Sequence, residues 1–261
     1  MEIITSLQNN KIKQTIKLKD GKERKKTGQI LVEGRKEISL ALASGVKLNT
    51  LFYCSELAGE EDEEILMLIN QKNIFQVSMD VFKKMAYREH PDGLLAVAQV
   101  KPLALSEIKL SENPLVIILE SLEKPGNIGA ILRSAESAGA DAVIITESKT
   151  DIYNPNVIRS SLGTVFSNQI ALTTNQELTN WLKKNKIKTV AAHPHADIAY
   201  TKADLSKNIA IIIGTEDLGL SEYWLTNADE KIIIPMKGKI DSLNASASLA
   251  IILFEAIRQR N

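Results

Sequence analysis

Apolar positions fall into two kinds of run along this chain, and the change between them divides it near residue 100. In the first part, short β-rich runs alternate with helically spaced apolar positions. Gln29–Glu33 predicts a strand, Gly34 a turn, and Arg35–Ser44 a helix stopped at Gly45. Thr50–Cys54, Ile74–Val77 and Leu94–Val100 predict three more strands, the last opened by Gly93. Glu61–Gln71 carries Ile65, Leu66, Leu68 and Ile69 at helical spacing, and Met79–Tyr87 carries Val81, Phe82 and Met85. Residues 1–100 therefore predict a small α/β domain. Residues 101–114 hold two prolines, two serines and little periodicity, which predicts a linker.

Beyond it the strands become unbroken apolar runs, the pattern of a parallel sheet buried on both faces. Leu115–Leu119, Ala142–Ile145, Ile209–Ile213 and Lys231–Pro235 are such runs, with Thr189–Ala192 a weaker one. Helices are expected at Ile128–Ala138, Asn156–Leu162, Gln176–Lys184, Ser221–Leu225 and roughly Ala245–Arg258. Residues 115–261 thus predict a doubly wound α/β domain.

Ligands of such sheets bind outside the carboxyl ends of the strands, so the residues just past each strand carry most of the interest. Lys124–Gly129 and then Arg133 follow the first strand. Gly214–Leu220, containing Glu216, follows the fourth, and Pro235–Gly238 with Ser242–Asn244 follows the fifth. No G-x-G-x-x-G or Walker sequence is present, which argues against a dinucleotide or P-loop enzyme such as a dehydrogenase. Each polar residue also has a plain structural reading. Asn127, Ser242 and Asn244 can cap helices, Glu216 can cap a turn, and Arg133 can lie on a helix surface. What favours function is their clustering at three strand ends on one edge.

Composition narrows the classes. Net charge is zero, yet Lys11–Lys26 holds eight Lys or Arg against Asp20 and Glu23. That stretch reads equally as an arm for phosphates or as a solvated helix face. A single cysteine, Cys54, excludes an intrachain disulfide or a CxxC metal site, and it ends a strand where a core residue belongs. His193 and His195 flank Pro194 without a further ligand nearby, so no metal is expected. No run approaches the ~18 apolar residues of a membrane span. Met1–Ile4 lacks the layout of a signal peptide, so a cytoplasmic location is expected.

With these residues assembled, the second block resembles the SpoU family of RNA 2′-O-ribose methyltransferases, in the SPOUT superfamily. The likeness rests on Asn127-Ile128-Gly129-Ala130-Ile131-Leu132-Arg133, then Ile213–Ser221, then Ile232–Met236 with Asp241–Ser246, in that order. Asp217 stands where the family often has Gly, and Ala245 where Val is commoner. The first block is similar to the family's N-terminal RNA-binding domain, through Leu31-Val32-Glu33-Gly34-Arg35, Ser6–Asn9 and Gly93–Ala96. The resemblance implies a trefoil knot near the C-terminus and S-adenosylmethionine held by Gly214, Ile234 and Leu243. It implies Asn127, Arg133, Glu216, Ser242 and Asn244 as the catalytic set, with Arg24 and Arg35 as RNA contacts. A guanidinium does not give up its proton near neutrality, so Arg133 is expected to clamp phosphate and steady the forming alkoxide rather than act as a base. Asn127 would orient Arg133 or the ribose, and Glu216 would hold one of them or accept a proton. Ribosomal RNA is the expected substrate ahead of transfer RNA, because minimal members acting on transfer RNA usually lack the extra domain. A homodimer through the catalytic domains is also implied, with Leu249, Ile252, Leu253 and Ala256 of the last helix serving as core, dimer surface or both. The rival is a non-catalytic RNA-binding protein of the same fold, which would need damaged motifs.

Overall fold

The computed structural model describes residues 3–148, 150–239 and 242–261. In chain order its elements are α1 (Asn10–Lys17), α2 (Gly21–Thr27), β1 (Gln29–Glu33), α3 (Arg35–Ala43), β2 (Leu48–Tyr53), α4 (Glu63–Met67), β3 (Ile74–Gln76), α5 (Met79–Met85) and β4 (Leu94–Gln99). There follow β5 (Leu115–Glu120), α6 (Pro125–Ser137), β6 (Ala142–Thr146), α7 (Pro155–Ser160), β7 (Ile170–Thr173), α8 (Asn175–Lys184), β8 (Lys188–Ala192), β9 (Ile198–Ala199), β10 (Ile209–Ile213), α9 (Glu222–Asn227), β11 (Glu230–Ile233) and α10 (Ala245–Arg260). They form two compact units. One is the chain up to Lys101 together with Asp151–Ser167, and the other is Pro102–Thr150 with Asn168–Asn261. No described helix is long and apolar enough to cross a membrane.

The first unit is built on a sheet of order β1-β4-β2-β3, with β4 antiparallel to both its neighbours and β2 parallel to β3. Ile12, Leu31, Phe52, Cys54, Phe82 and Leu95 fill one core beneath it. The basic stretch is helical: Asn9 caps α1 and Asp20 caps α2, each side chain accepting a backbone N–H two residues on. The helix expected over 61–71 shrinks to α4. Leu68 N–H closes the last turn on Ile65, and the Asn70 side chain then accepts from Lys72 N–H, which turns the chain.

Residues 151–167 were expected in the second block, yet they pack in the first unit. Ile152, Val157, Ile158 and Val165 are buried there, and α7 lies against β1. Gly163 makes this possible. It sits at φ +85°, and a Cβ on it would come within 3.0 Å of Glu37 Cα and 3.3 Å of Glu37 O in α3. Burial pushes the Glu37 and Glu33 carboxyls up; Arg88 opposes this at Glu37, and the Tyr87 and Arg88 backbone N–H groups oppose it at Glu33.

The second unit holds a seven-stranded parallel sheet of order β7-β6-β5-β10-β8-β11-β9. The short strands β7 and β9 were not anticipated. They border the sheet, where half-exposed strands lose the continuous apolar signature. Val116, Ile118, Ala142, Ile144, Ala210 and Ile212 pack one face of the sheet against Leu178 and Leu182 of α8 and Trp224 of α9. Helices α6 and α10 pack on each other and on β6 and β10. Leu249, Ile252, Leu253 and Ala256 of α10 are wholly buried within this chain, which makes them core; Phe254 is the large apolar residue that α10 exposes. The expected linker is instead a strap of this unit. Leu103 bridges to Ala171, and Leu105, Ile108 and Leu110 pack on the core.

Glu120, buried at the end of β5, joins three elements. Its carboxylate accepts from Asn175 Nδ2 at 2.7 Å, from Ser221 N–H at 2.8 Å and from Ser221 Oγ at 2.6 Å. Asn175 Oδ1 in turn accepts from Trp224 Nε1 at 2.9 Å.

Two stability measurements follow from these packings. Gly163→Val forces a branched side chain into a left-handed backbone against α3, and chemical denaturation is expected to show a loss of about 2–4 kcal/mol. Glu120→Ala strands the buried Asn175 amide and releases Ser221, and is expected to lower unfolding free energy by about 3 kcal/mol. A Glu120→Ala protein with an unchanged denaturation midpoint would show that this carboxylate does not hold the strand end.

Candidate functional site

The three polar segments identified from sequence converge at the carboxyl ends of the second unit's strands. Helix α6 begins two residues before Asn127, with Pro125 as its first residue, so Asn127 lies in its first turn and does not cap it. Asn127 Nδ2 donates to Glu216 Oε1. Asn244 Nδ2 donates to Asn127 Oδ1 at 3.1 Å. Asn244 is also the N-cap of α10, its Oδ1 accepting from Ser246 N–H at 3.0 Å and from Ser246 Oγ at 2.6 Å.

This chain of bonds has a fixed direction. A backbone N–H can only donate, so Asn244 must turn its carbonyl oxygen to Ser246 and its amide nitrogen to Asn127. Asn127 must then present its oxygen to Asn244 and its nitrogen to Glu216. The cap of the last helix thereby orients a carboxylate that sits past a different strand. Neither capping nor function is the sole reading for Asn244; it does the first and is placed for the second.

Glu216 stands on a tight loop after β10. Thr215 N–H donates to Gly219 O and Gly219 N–H to Thr215 O, each at 3.0 Å. The loop folds so closely onto the strand end that a Cβ on Gly214 would lie 2.2 Å from Gly219 O, so only glycine fits there. Gly214 is buried, while Ile234 and Leu243 are half-buried beyond the ends of β11 and before α10. Among the described residues, no other group engages the backbone of Met236 or Leu243. Half-buried apolar side chains beside open amides and carbonyls suit a flat heteroaromatic ring with donor and acceptor edges, as adenine has.

Other expected residues are placed differently. Arg133 is exposed on α6, six residues and about 9 Å of helix rise from Asn127. No hydrogen bond or ion pair among the described residues holds it, and the Asn127 amide donates to Glu216 instead. Ser242 is exposed, and its neighbours Ile240 and Asp241 lie outside the described residues. The three strands are not all neighbours, because β8 runs between β10 and β11. That order brings His193, just past β8, alongside the site. Its N–H donates to Ile232 O, and its imidazole is pushed down in pKa mainly by burial, then by His195 and Lys231. The sequence signal for this neighbour was the weak strand before it. Among the described residues, no group of three His, Cys, Asp or Glu could hold a metal.

The two arginines expected on RNA both have acidic partners within the first unit. Arg24 is buried, with Nε on Asp151 at 2.7 Å and Nη1 on the carbonyls of Leu18 and Lys19. Arg35 is held by Asp62 and Glu61. Guanidinium groups committed in this way have little left to offer a phosphate.

The SpoU rRNA Methylase family model matches residues 114–254, and an MRM3-like substrate binding domain model matches residues 9–96. A 23S rRNA (uridine(2479)-2′-O)-methyltransferase of Streptomyces viridochromogenes is 31% identical, over 91% of this chain and 85% of that protein. The crystal structure of an RNA 2′-O ribose methyltransferase superposes with a TM-score of 0.88 at 38% identity, covering 99% of each chain. The AdoMet-bound rRNA methyltransferase of Sinorhizobium meliloti superposes with a TM-score of 0.89 at 28% identity, over 98% of this chain and 97% of that one. Matched over more than half its length by the first of these models, with its hydrogen-bonded asparagines and glutamate inside the matched span, the chain belongs to the SpoU rRNA methylase family.

Proposed function

We propose that this protein transfers a methyl group from S-adenosylmethionine to a ribose 2′-hydroxyl of ribosomal RNA in the cytoplasm. The observation that carries the reading is the directed bond chain from Ser246 through Asn244 and Asn127 to Glu216. It ties three separate strand-end segments together in a chain of this family. The named relatives that methylate ribosomal RNA, and the AdoMet-bound neighbour, support the substrate and the donor.

Bound S-adenosylmethionine supplies an electrophilic methyl group on a sulfonium. Gly214, Ile234 and Leu243 would hold it, by backbone approach and apolar contact. The protein's own task is to position the ribose and make its hydroxyl nucleophilic. Glu216 Oε1 is taken by Asn127, which leaves Oε2 to accept the hydroxyl proton or its hydrogen bond; a proton acceptor contributes roughly 10²–10⁴-fold. Arg133, exposed and uncommitted, has its whole guanidinium fork available to a phosphate and to the forming alkoxide. Ser242 and Asn244 fix the loop that leads into α10.

The same reading takes in a knotted C-terminal segment. Support comes from β8 lying between β10 and β11 while α10, which follows β11, packs back on α6 and β10. A homodimer through this unit is supported by Phe254, a large apolar residue that α10 leaves half exposed.

The direct test is transfer of tritiated methyl from S-adenosylmethionine to ribosomal RNA from cells lacking the gene, followed by mapping of ribose methylation. Label in the base, or in transfer RNA alone, would overturn the reading. Arg133→Ala is expected to lower turnover by about 10²–10³-fold while calorimetry shows donor binding within about twofold of wild type. Asn244→Asp is a sharper probe. The carboxylate keeps the α10 cap, so stability should change by less than about 0.5 kcal/mol. It presents an acceptor to Asn127, however, whose amide must then rotate and release Glu216. Turnover should fall by about 10²-fold with donor affinity little changed, and an active Asn244→Asp enzyme would refute the directed chain.

A further inference from the structure

The loop that carries Glu216 has a second feature. Besides the paired backbone bonds between Thr215 and Gly219, Leu218 N–H donates to Thr215 Oγ1 at 3.1 Å, and Gly219 takes a left-handed φ of +68°. The base of the loop is pressed onto Gly214, and Glu216 is held by Asn127. At the tip of this fixed turn Leu218 is 89% exposed, the highest value of any large apolar residue among those described. A single exposed leucine on a mobile surface needs no explanation. This one is fixed beside the candidate reaction centre and preceded directly by two acids, Glu216 and Asp217.

Those acids limit what can meet the tip. A phosphate approaching Leu218 would face like charge, so the backbone of an RNA must pass elsewhere, toward Arg133. The uncharged, flat surface that an RNA brings with its ribose is the face of a base. Apolar side chains that enter a stack of bases hold neighbouring bases apart. We infer that Leu218 is a positioning residue that packs on the face of a nucleobase next to the target ribose and keeps the target nucleotide out of the RNA stack. The ligand class is therefore a stacked, structured RNA, and the inference rests on the function proposed above.

The test compares wild type, Leu218→Ser and Leu218→Met in tritiated-methyl transfer. The substrates are folded ribosomal RNA from cells lacking the gene and the same RNA fragmented and heat-denatured. On folded RNA, Leu218→Ser is expected to lower kcat/KM by about tenfold or more, and Leu218→Met to restore most of it. On denatured fragments, whose bases are already unstacked, the Ser variant should lose no more than about twofold. Donor binding by calorimetry and the melting temperature should not move, because Leu218 is almost wholly exposed. Equal activity of the Ser variant on folded RNA would overturn the wedge, as would an equal loss on both substrates. A change in oligomeric state on size exclusion would also overturn it, assigning the tip to a second copy of the chain. If wild type methylates ribose and only the Leu218 effect is missing, the proposed function stands alone. If wild type transfers no methyl, both fall.

Discussion

One backbone N–H decides how the site is arranged. The amide of Ser246, exposed at the start of α10, needs an acceptor, and Asn244 supplies it. Every later orientation follows, since each asparagine has one oxygen and one nitrogen to place: Asn244 toward Asn127, and Asn127 toward Glu216. The polarity of a helix end is thus passed to a carboxylate that lies far away in sequence. The geometry is inexpensive to keep, because the capping bond would form in any case. It is also brittle, since any residue that inverts one amide inverts the next.

The second constraint is steric. The carbonyl of Gly219 comes so near Gly214 that a methyl group there has no room, and this lets the Glu216 loop fold onto the end of β10. The sequence resemblance assigns Gly214 to the cofactor. The structure adds that the loop itself already demands glycine at this position, before any ligand is considered. A substitution there would therefore disturb the loop that carries Glu216.

How legible was this from the amino acids? The central strands β5, β6 and β10 announced themselves as apolar runs because they are buried on both faces. The sheet's outer strands β7 and β9 did not, being short and partly exposed. The clustering of Asn127, Glu216 and Asn244 followed from where ligands bind on a parallel sheet, but the direction of their hydrogen bonds depends on a cap and had no sequence signature. His193 reads from sequence only as a possible metal ligand, because the strand order that inserts β8 between β10 and β11 is not written in periodicity. The surroundings of Arg24 and Arg35 were hidden for the opposite reason. Charge is visible in a sequence, whereas the partners that consume it, Asp151 and Asp62, lie 127 and 27 positions away.

Residues 151–167 belong to the first unit although β5, α6 and β6 of the second are encoded before them. A chain emerging from the ribosome therefore has no complete first unit when residue 101 appears. Its β1 surface waits for α7, and Arg24 waits for Asp151, until residue 167 has been made. By then two of the second unit's seven strands, β5 and β6, are already out. The two units must mature as interleaved pieces of one product, so the order of translation does not give the order in which they are finished.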